Sequence, residues 1–439
     1  MPSRISQAVR VAVLADSDTR WKWGALTARR IAPEDRSVEL SGFLLRGRAT
    51  PTARQLAEVG ADADALREVT GTAFLRALRE ESYDVVVLAL VGGAAQAMLH
   101  GMAALGAERR PVVVTGYVGV VYEKLSDGLL LRHGADVVLA NSRHDARRFR
   151  DVYEGVGADA SSVTEAALPF LGGARYAPEE GRDTVVFAVQ PSVPTSRADR
   201  TYLLRRLVGH ARLHPRREVL LKLRSKVGEH TTHVEEFPYQ RLAEKLPGGL
   251  PPNFRLVYGN MGEVLDRTDL LVTVSSTAAL ESLHRRIPTA ILTDFGVREP
   301  LGNHHFIGSG CLASWDQLDS GYRPRPDAVW ADRQGVVADG SYASAFDTAR
   351  ARVTTLLDQP ELPAISPYYT ATTAPGYLPG LLARHHLAID GTPLSSRPPS
   401  DGGSAVRRAV REAVRGAARG AYRHGVQRVA PVIRRMGEL

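Results

Sequence analysis

Residues 270–292 read LLVTVSSTAALESLHRRIPTAIL, and this stretch indicates the fold class of the whole chain. Leu270–Val274 is an apolar run typical of a strand that is buried on both faces of a parallel sheet. A helix is predicted over Ala278–Arg285, and Pro288 separates it from a second buried strand, Thr289–Leu292. The order strand, helix, strand is the repeating unit of a doubly wound α/β fold.

Three hydroxyl residues, Ser275, Ser276 and Thr277, join the first strand of this unit to its helix. Hydroxyl side chains cap helices, and the first N–H groups of a helix attract anions. Turns of this kind lie at the carboxyl ends of parallel strands, where open α/β sheets bind ligands. The turn therefore predicts a phosphate site, although a plain helix cap with nothing bound explains the same pattern equally well.

The length and composition of the chain set its broad class. Its 439 residues predict two domains and a tail, and shares of 44% hydrophobic and 24% charged residues are typical of a soluble globular protein. With Cys311 as the single cysteine, no intramolecular disulfide can form. No apolar run reaches the roughly 18–20 residues of a membrane span, and the amino terminus lacks a signal-peptide layout. We therefore expect a cytoplasmic protein.

The positive charge of the chain is concentrated in its last residues. The formal net charge is +8, and residues 404–439 hold nine arginines against Glu412 and Glu438. The rest of the chain is close to neutral, which argues against nucleic-acid binding by the folded body. Arginine recurs every four residues from Arg407 to Arg423, a basic amphipathic pattern that suits an anionic membrane surface. A solvated basic tail is the alternative.

Strand and helix patterns alternate along most of the chain. The predicted strands of the first half are Val9–Ala15, Val38–Leu45, Tyr83–Leu90, Pro111–Thr115 and Val137–Ala140, and those of the second half are Thr184–Val189, Glu218–Leu223, Phe254–Val257, Leu270–Val274 and Thr289–Leu292. The main predicted helices are Ala25–Ile31, Thr52–Val59, Gly71–Glu80, Ala94–Leu105, Arg143–Tyr153, Asp199–His214, Met261–Arg267, Ala278–Arg285, Tyr342–Leu357 and Leu378–Ala383.

This alternation predicts two Rossmann-like domains and a tail. The first domain is expected over residues 1–175 and the second over 183–365, joined by a linker rich in Gly, Pro and charge. Residues 366–390 are expected to cross back to the first domain. A disordered linker and the basic amphipathic tail fill residues 391–439.

Polar side chains follow the predicted strands of the first domain. Asp16 and Asp18 come directly after the first strand, where a catalytic base is expected in such folds, or where a helix cap and a solvated acid would serve. Arg20 and Trp21 continue this loop, and the indole could stack on a sugar or cover a cleft between the domains. Gly116-Tyr117 ends a later strand in a flexible turn that lets the backbone approach a ligand.

The second domain offers further candidates in the same kind of position. Gln190 lies in the polar loop after its first strand, and Lys222 and Arg224 lie at the exit of its second. These side chains could bind a ligand, turn the chain or form a solvated rim. Asn303 and His304 could bind an acceptor or order a loop, and the sequence does not separate the two roles.

Several common catalytic patterns do not occur. No GxGxxG follows either first strand, and no GxxxxGK[ST], GxSxG or HExxH occurs. Dinucleotide oxidoreductases, P-loop NTPases and serine hydrolases with a nucleophile elbow are therefore disfavoured. The adjacent His304-His305 could suggest a metal site, but neighbouring residues seldom aim both rings at one ion, so no metal is predicted.

On these residues the body of the chain, about 8–385, resembles the GT-B glycosyltransferases, in which two Rossmann-like domains face a central cleft. The strand, the run Ser275–Glu281 and Pro288 look like the donor motif of bacterial sialyl- and polysialyltransferase-type enzymes. The segments DSDTRWKWG (16–24), VQPSVP (189–194) and SSTAALES (275–282) together resemble an actinobacterial group of glycosyltransferases.

The resemblance implies roles for the donor side of the cleft. Ser275, Ser276 and Thr277 would hold the donor phosphate, and Glu281 would face the ribose or base unless it pairs with Arg285 one turn away. Lys222 and Arg224 would neutralise the leaving group. Two departures stand out: Arg224-Ser225 replaces the His-Pro pair of the sialyltransferase type, which weighs against a cytidylate donor, and Arg286 replaces a common glycine.

The resemblance also implies a reaction. The enzyme would move a sugar from a nucleotide sugar to a cell-surface glycan or lipid-linked acceptor, with Asp16 or Asp18 as general base if configuration is inverted, and with neither metal nor cofactor. The tail would bring it to the inner membrane face. The alternatives are a nucleotide-sugar epimerase or polyol-phosphate transferase of the same fold, or a non-catalytic nucleotide- or sugar-binding protein.

Overall fold

Two parallel sheets organise the folded body. The computed structural model describes residues 8–106, 110–120, 124–229, 231–232, 235–336 and 341–394. The predicted basic helix of the tail lies outside these ranges. Within them, the first sheet has seven strands in the order β3-β2-β1-β4-β5-β6-β7 and the second has six in the order β10-β9-β8-β11-β12-β13. The predicted α/β architecture of two Rossmann-like domains is confirmed.

The first domain alternates strands and helices on both faces of its sheet. Its elements are β1 (Val9–Ala15), α1 (Asp18–Ile31), β2 (Val38–Leu45), α2 (Ala53–Val59), β3 (Ala65–Val69), α3 (Gly71–Glu80), β4 (Val85–Ala89), α4 (Gly92–Ala103), β5 (Val112–Gly116), α5 (Leu125–Leu130), β6 (Val137–Ala140), α6 (Arg143–Gly155) and β7 (Val163–Glu165). β1 lies at the centre, with Val13 opposite Gly42 on β2 and Val87 on β4.

The second domain repeats this plan. Its elements are β8 (Thr184–Ala188), α7 (Arg197–Leu213), β9 (Glu218–Lys222), α8 (Tyr239–Glu244), β10 (Phe254–Val257), α9 (Met261–Leu265), β11 (Leu270–Thr273), α10 (Ala278–His284), β12 (Thr289–Leu292), β13 (Leu312–Ala313), α11 (Trp315–Asp319) and α12 (Ala328–Arg333), with short 3₁₀ turns at Glu299–Leu301 and Asn303–Phe306. The central strands β8 and β11 are buried throughout, as their continuous apolar runs require.

The last part of the described chain returns to the first domain. A 3₁₀ turn, Ser341–Phe346, leads into α13 (Asp347–Leu357), which packs against β5, β6 and β7. α14 (Leu378–Ala383) then packs against α4. The return therefore begins before residue 366, where the sequence placed it, because Val353 and other apolar residues of α13 complete the core beneath the first sheet.

The first helix begins earlier than expected. Ser17 is its N-cap and accepts a hydrogen bond from the Arg20 backbone N–H, so α1 starts at Asp18 rather than at Ala25. Trp21 therefore lies on the first turn of α1 and not in a loop. It is 1% exposed and packs over Gly42, where an added Cβ would lie 2.6 Å from the indole ring. The interpretation of Trp21 as a sugar-stacking or cleft-covering residue is therefore wrong: its ring is core, and its indole N–H donates to the Ala61 carbonyl.

Two strands of the first sheet had no clear sequence signal. β3 is an edge strand with the sequence ALREV, exposed at four of its five residues, so it lacks the apolar pattern of a buried strand. β7 has three residues. Among the described residues, no helix combines the length and the apolar character that a membrane crossing requires.

Candidate functional site

Residues that follow the carboxyl ends of strands in both sheets contact one another, and the region between the two domains at these contacts is called the cleft here. In the first sheet the strand order reverses between β1 and β4, and in the second between β8 and β11. Ligands of open α/β sheets bind at such reversals. Side chains from the two domains meet here through Arg20 and Thr232, whose guanidinium and hydroxyl are 3.0 Å apart, and through a close approach of Gly119 to Thr277.

The acid at the start of α1 is paired across the cleft. Asp18 is 7% exposed, and its carboxylate accepts a hydrogen bond of 2.7 Å from the Arg224 guanidinium. The same guanidinium contacts the Thr19 hydroxyl. Asp18 belongs to the first domain and Arg224 follows β9 of the second. This ion pair therefore joins one of the two acids that the sequence analysis offers as general base to a cation that the resemblance assigns to the leaving group.

Asp16 has different surroundings. One carboxylate oxygen accepts from the backbone N–H of Val91 at 2.9 Å, and the other from Arg20 at 2.9 Å. Because Val91 is the N-cap residue of α4, Asp16 ties the loop after β1 to the loop after β4. Both oxygens serve contacts within the first domain, whereas Asp18 reaches the facing domain.

The hydroxyl turn after β11 is held by Gln190. The Gln190 side chain donates to the Ser275 hydroxyl at 3.1 Å and accepts from the Ser275 backbone N–H at 2.9 Å. Ser275 is buried and donates to the Leu301 carbonyl, while the Ser276 hydroxyl accepts from the Ala278 N–H. Thr277, the N-cap residue of α10, makes no side-chain capping bond. Ser275 thus supports the turn, and Thr277 faces the first domain.

Charged groups of both signs are buried at the end of β9 and in α10. Lys222 is 8% exposed and donates to the Leu223 carbonyl at 2.8 Å, and burial lowers its pKa to about 8. Glu281 is 7% exposed, and burial raises the pKa of its carboxyl against the opposing effect of Lys22. The Lys22 ammonium lies 4.0 Å from Glu281. Arg285 pairs with Asp266 rather than with Glu281.

The structure adds interdomain residues that the sequence analysis did not identify. Arg54 on α2 forms ion pairs with Glu58 and, across the cleft, with Glu229. Glu58 also accepts from the Gly259 backbone N–H at 3.1 Å. These residues lie in a charged helix and a charged loop that look like ordinary solvated surface in the sequence. Only the facing of the two domains brings them together.

Two predicted cleft residues lie inside the first domain. Gly116 is buried at the end of β5, and an added Cβ would lie 2.8 Å from the Trp23 ring. The Tyr117 ring packs under the Arg132 guanidinium, 4.1 Å from the ring centroid, and its hydroxyl donates to the Leu125 carbonyl at 3.4 Å. In the turn that follows Gly116, it is Gly119 that approaches the second domain, close to the Thr277 hydroxyl.

Asn303 orders a loop. It is fully buried; its amide donates to the Leu292 and Gly296 carbonyls at 3.1 and 2.9 Å, and its oxygen accepts from the Arg298 N–H at 2.9 Å. His304, the next residue, is exposed. Of the two roles left open by the sequence, the contacts of Asn303 match the second.

We expect Asn303→Ala to lower the free energy of unfolding by about 1–3 kcal/mol, because it leaves buried backbone groups without partners. His304→Ala should change it by less than about 0.5 kcal/mol, as is usual for an exposed position. Urea unfolding of both variants measures the difference. Equal stabilities of the two variants would contradict the role assigned to Asn303.

One group of side chains away from the cleft has ligand atoms close enough to hold a metal. Among the described residues these are His210, His214 and Asp319, within 4.8 Å of one another. Both ring nitrogens of His210 are already engaged, with Asp319 at 2.6 Å and with Arg217 at 2.9 Å. Burial lowers the pKa of His210 to about 4, so the ring is neutral at pH 7. The ring and its neighbouring arginine form a hydrogen-bond network that does not favour a cation.

Comparison with known proteins bears on the fold and the family. A family model described as "Putative glycosyltransferase (DUF6716)" matches residues 11–356. A search of curated protein sequences finds no significant match.

Among solved structures, the protein described as "putative UDP-N-acetylglucosamine 2-epimerase from Listeria monocytogenes" superimposes with a TM-score of 0.52 at 10% identity, over 80% of this chain and 96% of that one. The UDP-GlcNAc 2-epimerase from Neisseria meningitidis bound to UDP-GlcNAc gives 0.49 at 9% identity, covering 80% and 100%. The glycosyltransferase SnogD from Streptomyces nogalater gives 0.39 at 16%, covering 79% and 96%. The Listeria protein has the same two-domain fold, which agrees with the predicted GT-B architecture.

Proposed function

Because the chain belongs to the glycosyltransferase family whose model spans residues 11–356, we propose that it transfers a sugar from a nucleotide sugar to a hydroxyl of a cell-surface glycan or lipid-linked acceptor. The observation that carries this proposal is the contact between Asp18 and Arg224 across the cleft. It brings a carboxylate from one domain and a cation from the other to one place, as inverting transfer requires.

The second domain would bind the donor. Lys222 and Arg224 lie at the exit of β9, which is separated by β8 from β11 and its Ser275–Thr277 turn. Lys222 interacts electrostatically with Glu281 of α10, and the charges of Lys222 and Arg224 suit a diphosphate. Gln190 would keep the turn in shape through its two bonds to Ser275. Glu281, held near Lys22, would accept hydrogen bonds from the ribose. The likeness to sialyl- and polysialyltransferase-type motifs supports this placement of the donor but does not choose the sugar.

The first domain would bind the acceptor and supply the base. The acceptor oxygen attacks the anomeric carbon, the bond from that carbon to the phosphate oxygen breaks, and the nucleoside diphosphate leaves with the bonding electrons. Asp18 takes the proton of the acceptor hydroxyl. The donor diphosphate would compete with Asp18 for Arg224, so that donor binding would release the carboxylate for this step. In this proposal the cationic side chains stabilise the leaving group without a metal or other cofactor.

The cellular placement is also a proposal. The arginine spacing of residues 404–439 supports a peripheral position at the inner, cytoplasmic face of a membrane, where a lipid-linked or growing surface glycan would be reached. An epimerase of the same fold would use the same donor site but need no acceptor. Product analysis separates the two, since an epimerase changes the nucleotide sugar and releases no new glycoside.

The first test is thermal stabilisation by CMP, UDP, GDP and dTDP. We expect one nucleotide to raise the melting temperature selectively, since a ligand that binds only the folded state stabilises it. Thr277→Val should reduce this shift. Thr268→Val is the matched control. Thr268 lies before β11, whereas Thr277 follows it, and the substitution removes a buried hydroxyl that donates to the Val264 carbonyl. No shift with any nucleotide would favour the non-catalytic sugar-binding alternative.

A further inference from the structure

A buried arginine lies behind the proposed donor site. Arg200 is in the first turns of α7 and is 1% exposed. Its NH1 group donates to the backbone carbonyls of Gln190, Pro191 and Pro194 at 3.2, 3.2 and 3.3 Å. One side chain therefore holds the backbone of the loop that follows β8 at three points.

The same guanidinium holds a second segment. Its Nε donates to the Phe237 carbonyl at 2.7 Å and its NH2 group pairs with the Glu235 carboxylate. The plane lies over the Tyr239 ring, 4.2 Å from the centroid. The chain that precedes this segment carries Arg224, Glu229 and Thr232, which contact the first domain.

Arg200 is thus linked to two parts of the proposed site: to the Ser275–Thr277 turn through the loop of Gln190, and to the loop of Arg224 through the segment of residues 235–239. The loop that it holds contains Gln190, whose side chain makes the two bonds to Ser275 described above. The segment that it holds follows the loop carrying Arg224. A guanidinium is costly to bury unless its donors are bonded, and here each of its three nitrogens has an acceptor.

We propose that Arg200 is a positioning residue for the donor site: it fixes the Gln190 loop against the segment of residues 235–239 and so sets the geometry of the Ser275–Thr277 turn. The assignment of this turn to the donor rests on the proposed function. The positioning itself concerns only this chain. Lysine cannot replace arginine here, because an ammonium has three donors on one atom and cannot reach carbonyls on both segments with a planar fork.

The test compares Arg200→Lys with Arg217→Lys. Arg217 follows the other end of α7, is also buried, and binds Asp183 and His210 near the amino-terminal ends of β8 and β9, away from the cleft. Hydrogen–deuterium exchange, without any nucleotide, should rise in residues 189–195, 235–239 and 274–278 of Arg200→Lys and stay unchanged there in Arg217→Lys. The dissociation constant of the nucleotide selected above should rise about tenfold in Arg200→Lys and less than about twofold in the control.

The outcomes separate this inference from the proposed function. Unchanged exchange at residues 274–278 of Arg200→Lys, or an equal rise there in both variants, would overturn the positioning role. If exchange rises as expected but the wild type binds no nucleotide, Arg200 still positions the turn and the proposed function fails. A double variant with Gln190→Ala adds a check, because two changes acting through one turn should weaken nucleotide binding less than additively.

Discussion

Asp18→Asn is expected to lower kcat for sugar transfer by about 10²–10⁴-fold, the usual contribution of a general base. The amide keeps the size of the side chain but cannot take the proton of the acceptor hydroxyl. Nucleotide affinity should stay within a few-fold of the wild type or rise slightly, because Arg224 loses its carboxylate partner and becomes available to the diphosphate. Steady-state transfer rates and calorimetric nucleotide titration measure the two quantities.

Asp16→Asn serves as the contrasting variant. Its carboxylate accepts hydrogen bonds from Val91 and Arg20 within the first domain. We therefore expect the substitution mainly to lower the free energy of unfolding, and to lower kcat less than Asp18→Asn does. A loss of turnover in Asp16→Asn with full turnover in Asp18→Asn would reverse the assignment of the base. Full turnover in both variants would show that neither Asp16 nor Asp18 is the general base.

Lys222→Met should weaken nucleotide binding by about 10- to 100-fold at pH 7, the effect of removing one buried charge-assisted contact to phosphate. Methionine fills a similar volume, so packing is largely kept. Lys226→Met is the matched control, since Lys226 is an exposed lysine in the loop that follows β9, four residues after Lys222. A control that loses as much affinity as Lys222→Met would indicate a general charge effect rather than a site contact.

The pH dependence gives a second signature of Lys222. Its pKa of about 8 means that the ammonium loses its charge as pH rises through 8. Nucleotide affinity of the wild type should therefore fall about tenfold or more between pH 7 and 9.5, while that of Lys222→Met stays flat. A pH-independent wild-type affinity would show that Lys222 does not contact the phosphate.

The free energy of unfolding should rise with pH, whereas nucleotide affinity falls. The pKa of Lys222 is lowered from 10.5 to about 8, so between these values the unfolded chain binds a proton that the folded chain does not. The free energy of unfolding contributed by this group therefore rises with pH from about 8 to 10.5, by about 3 kcal/mol. Between pH 7.5 and 9.5 this group should raise the free energy of unfolding of the wild type by about 2 kcal/mol, as measured by denaturant unfolding, and Lys222→Met should lack the rise.

The buried strands were the most predictable part of the fold. Runs such as Val85–Ala89 and Leu270–Thr273 are apolar throughout, because both faces of a parallel sheet are covered. The exposed strand β3 has no such run and was missed. The start of α1 was misplaced although Ser17 is a good cap, because the Trp-Lys-Trp-Gly that follows reads as a loop.

The site was predictable only up to the strand ends. The rule that ligands bind at the carboxyl ends of parallel strands identified Asp18, Arg224 and the Ser275–Thr277 turn as candidates. In the structure Asp18 contacts Arg224, and Thr277 lies close to Gly119 of the first domain. That Asp18 pairs with Arg224 while Asp16 stays within its own domain depends on the orientation of the two domains. No local pattern encodes that orientation, and for the same reason the contact of Glu58 with Gly259 could not be foreseen.

The return of the chain to the first domain makes that domain discontinuous in sequence. Its core includes Val353 on α13 and Leu382 on α14 as well as the strands before residue 170. A fragment ending near residue 170 would lack this packing, whereas residues 184–336 form an insertion with two junctions. Chimeras between family members should therefore exchange that insertion as one cassette, with Leu280 and Leu283 kept, since both belong to the apolar cluster of the recipient domain.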